Sequence, residues 1–564
     1  MNRILALIAA AALALPAVAQ KKPAEQPQPE IPPISVNVDV RVIDFDVVVT
    51  DKRGNFVPGL TKDDFEILEN GVPKPVSNFY EINGGPPKAA VATEVGGRVE
   101  IAPAPPAPIT DEEMKRRIIM YIDNLSLAPF NRNRVFKQMK EFHKTAVRPG
   151  DEVMVATYNR SMKVRVPFTR DVQAVNQILD AVASESGMGV ANRSERKSFE
   201  DRIRDATSYE DAIATARTYA SSVEHDLRQG VASLNALMST LAGVEGKKIL
   251  VLTSEGFPMQ PGREVFTFVD EIAREKNWNA MGTSTFEGMH FDGTNLIQSV
   301  AKTANANDIT LYTIHAAGLS GSSEMSAENA RPTSAMVSHA AATNTTESMQ
   351  LMAQMTGGIS ATNSNNFADA FKRIQSDLES YYSIGYRAGT ERVDRQRYLT
   401  VRMKTRKDLR VRSRQTFVEK SVQAETGDRV IANLLYRVKD NELGILARVG
   451  QPVPVEDGLF RVAIDIQIPM QALTLLPQGD AESVGGFDVY VVVGNKDNDM
   501  SDVAQRSHQV RVPQAQMSQL AGKFYTYTLE LLIERGLNRI SLGVVDQVSN
   551  TSGFAREQII AQNN

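Results

Sequence analysis

The chain has 564 residues, with 63 Lys and Arg against 67 Asp and Glu and a formal charge of −4. Cysteine is absent, which excludes disulfides and a Cys-linked lipid anchor, and no long basic run offers the phosphate contacts that nucleic acid requires. An apolar share of 42 % is ordinary for a soluble globular protein, and the length suits three or four domains.

The first element is a leader. Arg3 precedes an apolar run over residues 4–15, then Pro16 and the small-residue pattern Ala17-Val18-Ala19. The run is too short to span a bilayer, so residues 1–19 read as a signal peptide cut after Ala19. No later segment is apolar enough to span. A secreted chain without Cys fits a bacterial periplasm or exterior, and the expected localisation is exported.

Residues 20–33 form a Pro-rich spacer. From residue 34, Val36, Val38, Val40 and Val42 alternate with polar residues, the period of a half-buried strand. Further short apolar runs and the Asn70-Gly71 turn make 34–81 a small antiparallel β-sandwich. Residues 82–111, with Gly84-Gly85-Pro86-Pro87 and a Pro-Ala repeat, are a stiff linker.

Over 112–420 strands and helices alternate, which predicts a doubly wound, mostly parallel sheet. Continuous apolar runs at 118–122, 249–253 and 309–314 read as buried strands. Tyr382-Ser383-Ile384-Gly385-Tyr386 is expected to close that sheet. Two polar stretches, 184–222 and 316–348, interrupt the rhythm as insertions, and the second leaves the C-terminal edge of a strand, where this architecture binds ligands. After Gly427 the helical period disappears, and alternating runs such as Phe460 to Ile468 predict a C-terminal β-sandwich over 428–564. The fold class is thus multidomain: a central α/β doubly wound domain flanked by N- and C-terminal antiparallel β-sandwiches.

The motif with most chemistry is Ile118-Ile119-Met120-Tyr121-Ile122-Asp123, a buried strand ending on a carboxylate and followed by Asn124-Leu125-Ser126-Leu127. Ser254-Glu255-Gly256 ends the 249–253 strand in the same way. The six His are scattered without metal-ligand spacing, and no G-x-S-x-G, P-loop or dinucleotide fingerprint occurs.

Together with Val47-Val48-Val49-Thr50-Asp51, Gly59-Leu60-Thr61-Lys62-Asp63-Asp64-Phe65-Glu66, Glu69-Asn70-Gly71, Arg148-Pro149-Gly150-Asp151, Thr356-Gly357-Gly358 and Tyr381 to Tyr386, the Asp123 strand resembles a von Willebrand factor A-type (vWA) protein, and more narrowly the vWA-related family of acidobacteria. The resemblance covers about 34–417. It implies a Rossmann-like domain that binds a protein at the top of its sheet, often through a divalent cation held by Asp-x-Ser-x-Ser and by later Thr and Asp residues. Asp123 matches the first Asp, but Leu125 and Leu127 occupy the two Ser positions and offer no oxygen. Glu255 falls where the later Asp stands.

Two readings of the site follow. In one, Asp123 and Glu255 hold Mg²⁺ or another divalent cation in a degenerate site, with Asn124, Ser126 and Ser254 completing the ligand-binding surface. In the other, Asp123 caps the following turn and binds no metal. The expected function is adhesion- or assembly-type binding of a protein partner by a secreted or periplasmic non-enzyme. The alternatives are a hydrolase using carboxylates at the same edge, or an inert envelope component.

Overall fold

A computed structural model describes residues 42–84, 115–279, 283–319, 334–387, 393–437, 440–479, 481–497 and 499–562, with the backbone of Lys88–Ala89. The expected signal, spacer and most of the 82–111 linker lie outside the described residues. No helix among the described residues is long and apolar enough to cross a membrane. The chain divides into two compact units, one over most of 42–419 and one from 420 onward.

Six strands form the mixed sheet of the first unit, in the order Ser360–Ala361, Ile309–His315, Lys247–Ser254, Arg116–Asp123, Glu152–Tyr158 and Met162–Thr169. All pair in parallel except the last, which returns as a hairpin. The central strands are buried on both faces, as their unbroken apolar runs require. On one side the helices Pro129–Ala146 and Phe367–Glu379 pack Phe142 against Phe371, with ring centroids 5.3 Å apart. The predicted insertion at 184–222 is helical: Gly189–Asp205 and the long Tyr209–Thr240 helix share a core of Phe199, Ile203, Ala216 and Tyr219 with Arg263–Glu275. Of the second insertion, residues 335–348 belong to the Ala335–Thr356 helix, and 320–333 lie outside the described residues.

The Tyr382–Tyr386 strand corrects the sequence reading. Ser380–Arg387 does not join the parallel sheet but pairs antiparallel with both Val42–Thr50 and Asn78–Asn83. The N-terminal sandwich therefore draws on both ends of this unit. One sheet runs Arg410–Arg412, Val42–Thr50, Ser380–Arg387, Asn78–Asn83, Lys88–Ala89, and the other runs Thr416–Val418, Gln396–Met403, Phe65–Glu69, Val72–Lys74. Residues 42–81 alone supply too little apolar area; Tyr382, Ile384, Tyr386, Leu399 and Phe417 complete the core.

Two ion pairs fasten the sandwich to its neighbour, one at the base of the parallel sheet and one on the Phe367–Glu379 helix. Lys247 Nζ lies 2.7 Å from Asp46 and 3.4 Å from the centroid of the Tyr381 ring. Arg412 forks onto Asp377, with Nη1–Oδ2 at 2.7 Å and Nη2–Oδ1 at 2.6 Å.

The second unit opens with a helix, Val422–Tyr436, where the sequence reading placed only strands. Ser421 caps it by accepting from Ala424 N–H, and Val430 and Leu434, four residues apart, seat it on the sheet containing Tyr490, Val492 and Val545. That sheet, with Glu482–Asn495 and Gly536–Asp546 at its centre, faces a second one built on Phe460–Pro469 and Phe524–Ile533. Val462, Ile464, Phe487 and Leu542 are among the residues between them.

Candidate functional site

From Arg116–Asp123 the chain moves to Glu152–Tyr158 on one side, and later lays Lys247–Ser254 on the other. The strand order therefore reverses between Asp123 and Ser254, and the C-terminal edge of a sheet at such a switch point is the natural place for a ligand crevice. His315 ends the next strand, in register with Ser254.

Four of the predicted residues meet here. Ser254 Oγ donates to Asp123 Oδ2 at 2.7 Å, and the Ser126 and Ser254 hydroxyls are 2.9 Å apart. Ser254 has one proton and commits it to Asp123, so Ser126 donates to Ser254 in this pair. The backbone N–H groups of Glu255 and Gly256 donate to Ser126 Oγ and Ser254 Oγ at 3.0 and 2.9 Å. Burial raises the Asp123 carboxyl above its ordinary range, against the opposing effect of hydrogen bonds from the Ser254 hydroxyl and the Ser126 backbone N–H.

The fifth, Asn124, is buried and turned aside. Its Oδ1 accepts from Arg132 Nη1 at 3.2 Å, while Arg132 Nη2 donates to the carbonyls of Ala183 and Glu185, both at 2.8 Å. Leu125 and Leu127 are also buried, Leu127 within the main apolar core.

Glu255 is held by different partners from Asp123. Its Oε1 accepts from Ala128 N–H at 2.7 Å and Asn131 Nδ2 at 3.0 Å, which caps the Pro129–Ala146 helix and suits the positive end of its dipole. Its Oε2 takes Arg193 Nη2 at 2.5 Å. As placed, these residues fit a closed protein network and do not fit a cation shell: Asp123 and Glu255 are turned to separate donors, and the described residues contain no group of three or more His, Asp or Glu suited to a metal. His315 Nε2 bonds the Glu255 carbonyl at 3.1 Å, so that nitrogen carries the proton, and burial lowers the ring's pKa.

Residues 185–193 lie directly over the 123–128 loop. Met188 N–H donates to the Asn124 carbonyl at 2.9 Å, Gly189 N–H to Leu127 at 3.2 Å, and Asn192 Nδ2 to Leu125 at 2.8 Å. The approach is so close that a Cβ at Gly189 would meet the Ser126 carbonyl at 2.4 Å and Ala128 N at 2.6 Å. On the other flank, Gly256 (φ 103°) presses against Thr345, and Asn344 ties Gln260 to the Ala335–Thr356 helix.

Sequence reasoning missed Arg193, Asn131, Arg132 and Arg134. A signal for the last two was present: arginines in the first turns of a helix face the positive end of its dipole, an unfavourable choice that needs another reason.

No protein-family model matches the chain. No curated protein matches it either. Similar solved structures include an aerotolerance-related membrane protein from Bacteroides fragilis, at 12 % identity over 47 % of this chain and 98 % of that one, with a TM-score of 0.25. BatB, a conserved hypothetical protein from Bacteroides thetaiotaomicron, is 10 % identical over 47 % of this chain and 97 % of that one, TM-score 0.21. The pilus adhesin SpaC from Lactobacillus rhamnosus GG, in an open conformation, is 9 % identical over 91 % of this chain and 58 % of that one, TM-score 0.26.

Proposed function

We propose that the chain is an exported bacterial envelope protein whose vWA-type α/β domain binds a protein partner at the C-terminal edge of its parallel sheet, as a binding module and not as an enzyme. The observation that carries this reading is the presence of exposed apolar side chains on three segments that border the switch-point edge. Phe130, Val190 and Leu319 are 74 %, 54 % and 59 % exposed. Phe130 and Val190 lie in the first turns of the Pro129–Ala146 and Gly189–Asp205 helices, and Leu319 lies in the segment that follows the Ile309–His315 strand. Single exposed apolar residues are ordinary, but three bordering one ligand-binding edge mark a surface that gains by being covered.

The polar network supports binding over hydrolysis. The Ser254 hydroxyl is fully buried and committed to Asp123, and the His315 N–H is committed to a backbone carbonyl. The edge is a rigid platform of the kind on which loops display specificity. A photo-crosslinking residue at position 130, compared with one at Gln375, tests the reading in the native envelope. A discrete protein adduct from position 130 alone is expected. Adducts from position 375 but none from 130 would overturn the assignment of this edge.

A further inference from the structure

We propose that the edge recognises a carboxylate side chain of its protein partner through Arg193 and Arg134, with Phe130 beside Arg134 as an apolar contact and with no metal ion as intermediary. This inference rests on the reading of the edge as a protein-binding surface and names the chemistry that the surface selects.

The two arginines are joined by one line of hydrogen bonds. Arg193 donates to Glu255, Glu255 accepts from Asn131 Nδ2, and Asn131 Oδ1 accepts from Arg134 Nη2 at 3.2 Å. Arg134 reaches further to the Ala316 carbonyl at 3.2 Å and to Asn365 Oδ1 at 3.4 Å, which also accepts from Leu319 N–H. Its guanidinium lies 5.3 Å from the Phe130 ring centroid and 5.5 Å from that of Phe367. The exposed Val190 stands one helical turn before Arg193. Arginine and apolar patch are thus one continuous surface.

Charge decides the partner's sign. Among the described residues Arg134 has only neutral acceptors as hydrogen-bond partners, and so does the buried Arg132. Arg193 is matched by Glu255, yet its side chain remains 38 % exposed and uses one nitrogen for that contact. Against Arg132, Arg134, Arg193 and Arg165 the network sets Glu255, Glu185, which faces both Arg132 and Arg165, and a buried Asp123, whose ionisation burial opposes. A locally positive edge on a chain of net charge −4 is complementary to an acid. Guanidinium groups pre-set by neighbours and stacked on aromatic rings are suited to planar carboxylates. The partner segment that fits is an Asp or Glu flanked by apolar residues.

The test uses the full chain as bait for a displayed library of random dodecapeptides, followed by synthetic peptides in matched pairs that differ by Glu or Gln at one position. The expected peptides carry an acid beside apolar residues, bind in EDTA, and lose at least about tenfold affinity on the Glu-to-Gln change, in line with a charge-assisted contact. Arg193→Ala and Arg134→Ala should each weaken them comparably, while Arg193→Lys retains part of the affinity; thermal melts identify any variant that fails to fold. Peptides lost in Phe130→Asp but indifferent to the acid would overturn the carboxylate inference and leave the binding edge standing. Peptides indifferent to Phe130→Asp would overturn the edge itself. Binding abolished by EDTA, or binding only to vesicles containing phosphatidylglycerol, would overturn the direct arginine contact with a protein carboxylate.

Discussion

Arg193 holds Glu255 at 2.5 Å, and the residue that a cation site would require is thereby committed to a guanidinium. The contact ties the inserted Gly189–Asp205 helix to the loop after Lys247–Ser254, while the other oxygen of Glu255 caps the Pro129–Ala146 helix. A double-mutant cycle of Arg193→Ala and Glu255→Gln, followed by chemical unfolding, should give a coupling of about 1–2 kcal/mol. Glu255→Ala should cost about 1 kcal/mol more than Arg193→Ala, because it also removes the cap.

Titration calorimetry with Mg²⁺, Mn²⁺ and Ca²⁺ should show no specific heat. Heat that vanishes in Asp123→Ala would show that the hydroxyl–carboxylate network opens to accept an ion, contrary to the arrangement described above.

Gly189 and Gly427 should respond to alanine in opposite directions. At Gly189 the added methyl meets backbone atoms of Ser126, Leu127 and Ala128 at 2.4–2.6 Å. The helix must shift, at about 1–3 kcal/mol. At Gly427, inside Val422–Tyr436, nothing lies within 4 Å. Gly427→Ala should stabilise by about 0.5–1 kcal/mol through helix propensity. Thermal melts of the two variants separate a steric role from a conformational one.

The legible part of this molecule was its local periodicity. The apolar runs at 118–122, 249–253 and 309–314 are buried strands of one sheet. Long-range pairing was not legible. Ile384 meets Phe45 and Phe79 across some three hundred residues, and nothing in its own neighbourhood names those partners. The 422–436 helix was hidden because its buried positions, Thr426, Val430, Ala432, Asn433 and Leu434, mix polar and apolar residues and do not stand out as a helical stripe. At the site, Asp123 and Glu255 were visible from strand ends. Arg193 was not, because it comes from a polar segment whose fold depends on glycine contacts at 187 and 189.

The Asp123 carboxyl gives a pH signature. Its folded pKa is raised by burial, so the folded protein holds that proton more tightly than the unfolded chain does. Its contribution to stability is therefore greatest in acid and falls as pH rises from the ordinary carboxylate range through the raised folded value. Asp123→Asn keeps an acceptor for Ser254 but cannot ionise. Its melting temperature should vary less than that of the parent between about pH 4 and 8, and a parallel pair of curves would remove Asp123 as the cause.

The Arg412–Asp377 fork is nearly enclosed, with the Asp side chain 5 % exposed, and Tyr312 OH also donates to Asp377 at 3.3 Å. Asp377→Ala strands a largely buried guanidinium and should cost about 3–5 kcal/mol. Replacing both partners by Leu and Met should cost much less, as seen by urea titration.

The sandwich that flanks the parallel sheet is closed by strands from before and after it. Val42–Thr50 lies between Ser380–Arg387 and Arg410–Arg412. Tension applied to the ends of this unit therefore loads the ladders between those strands first, peeling them apart from the Val42–Arg387 end. The parallel sheet hangs from the sandwich as a loop outside the line of force, so its C-terminal edge stays intact under a pull until those ladders part.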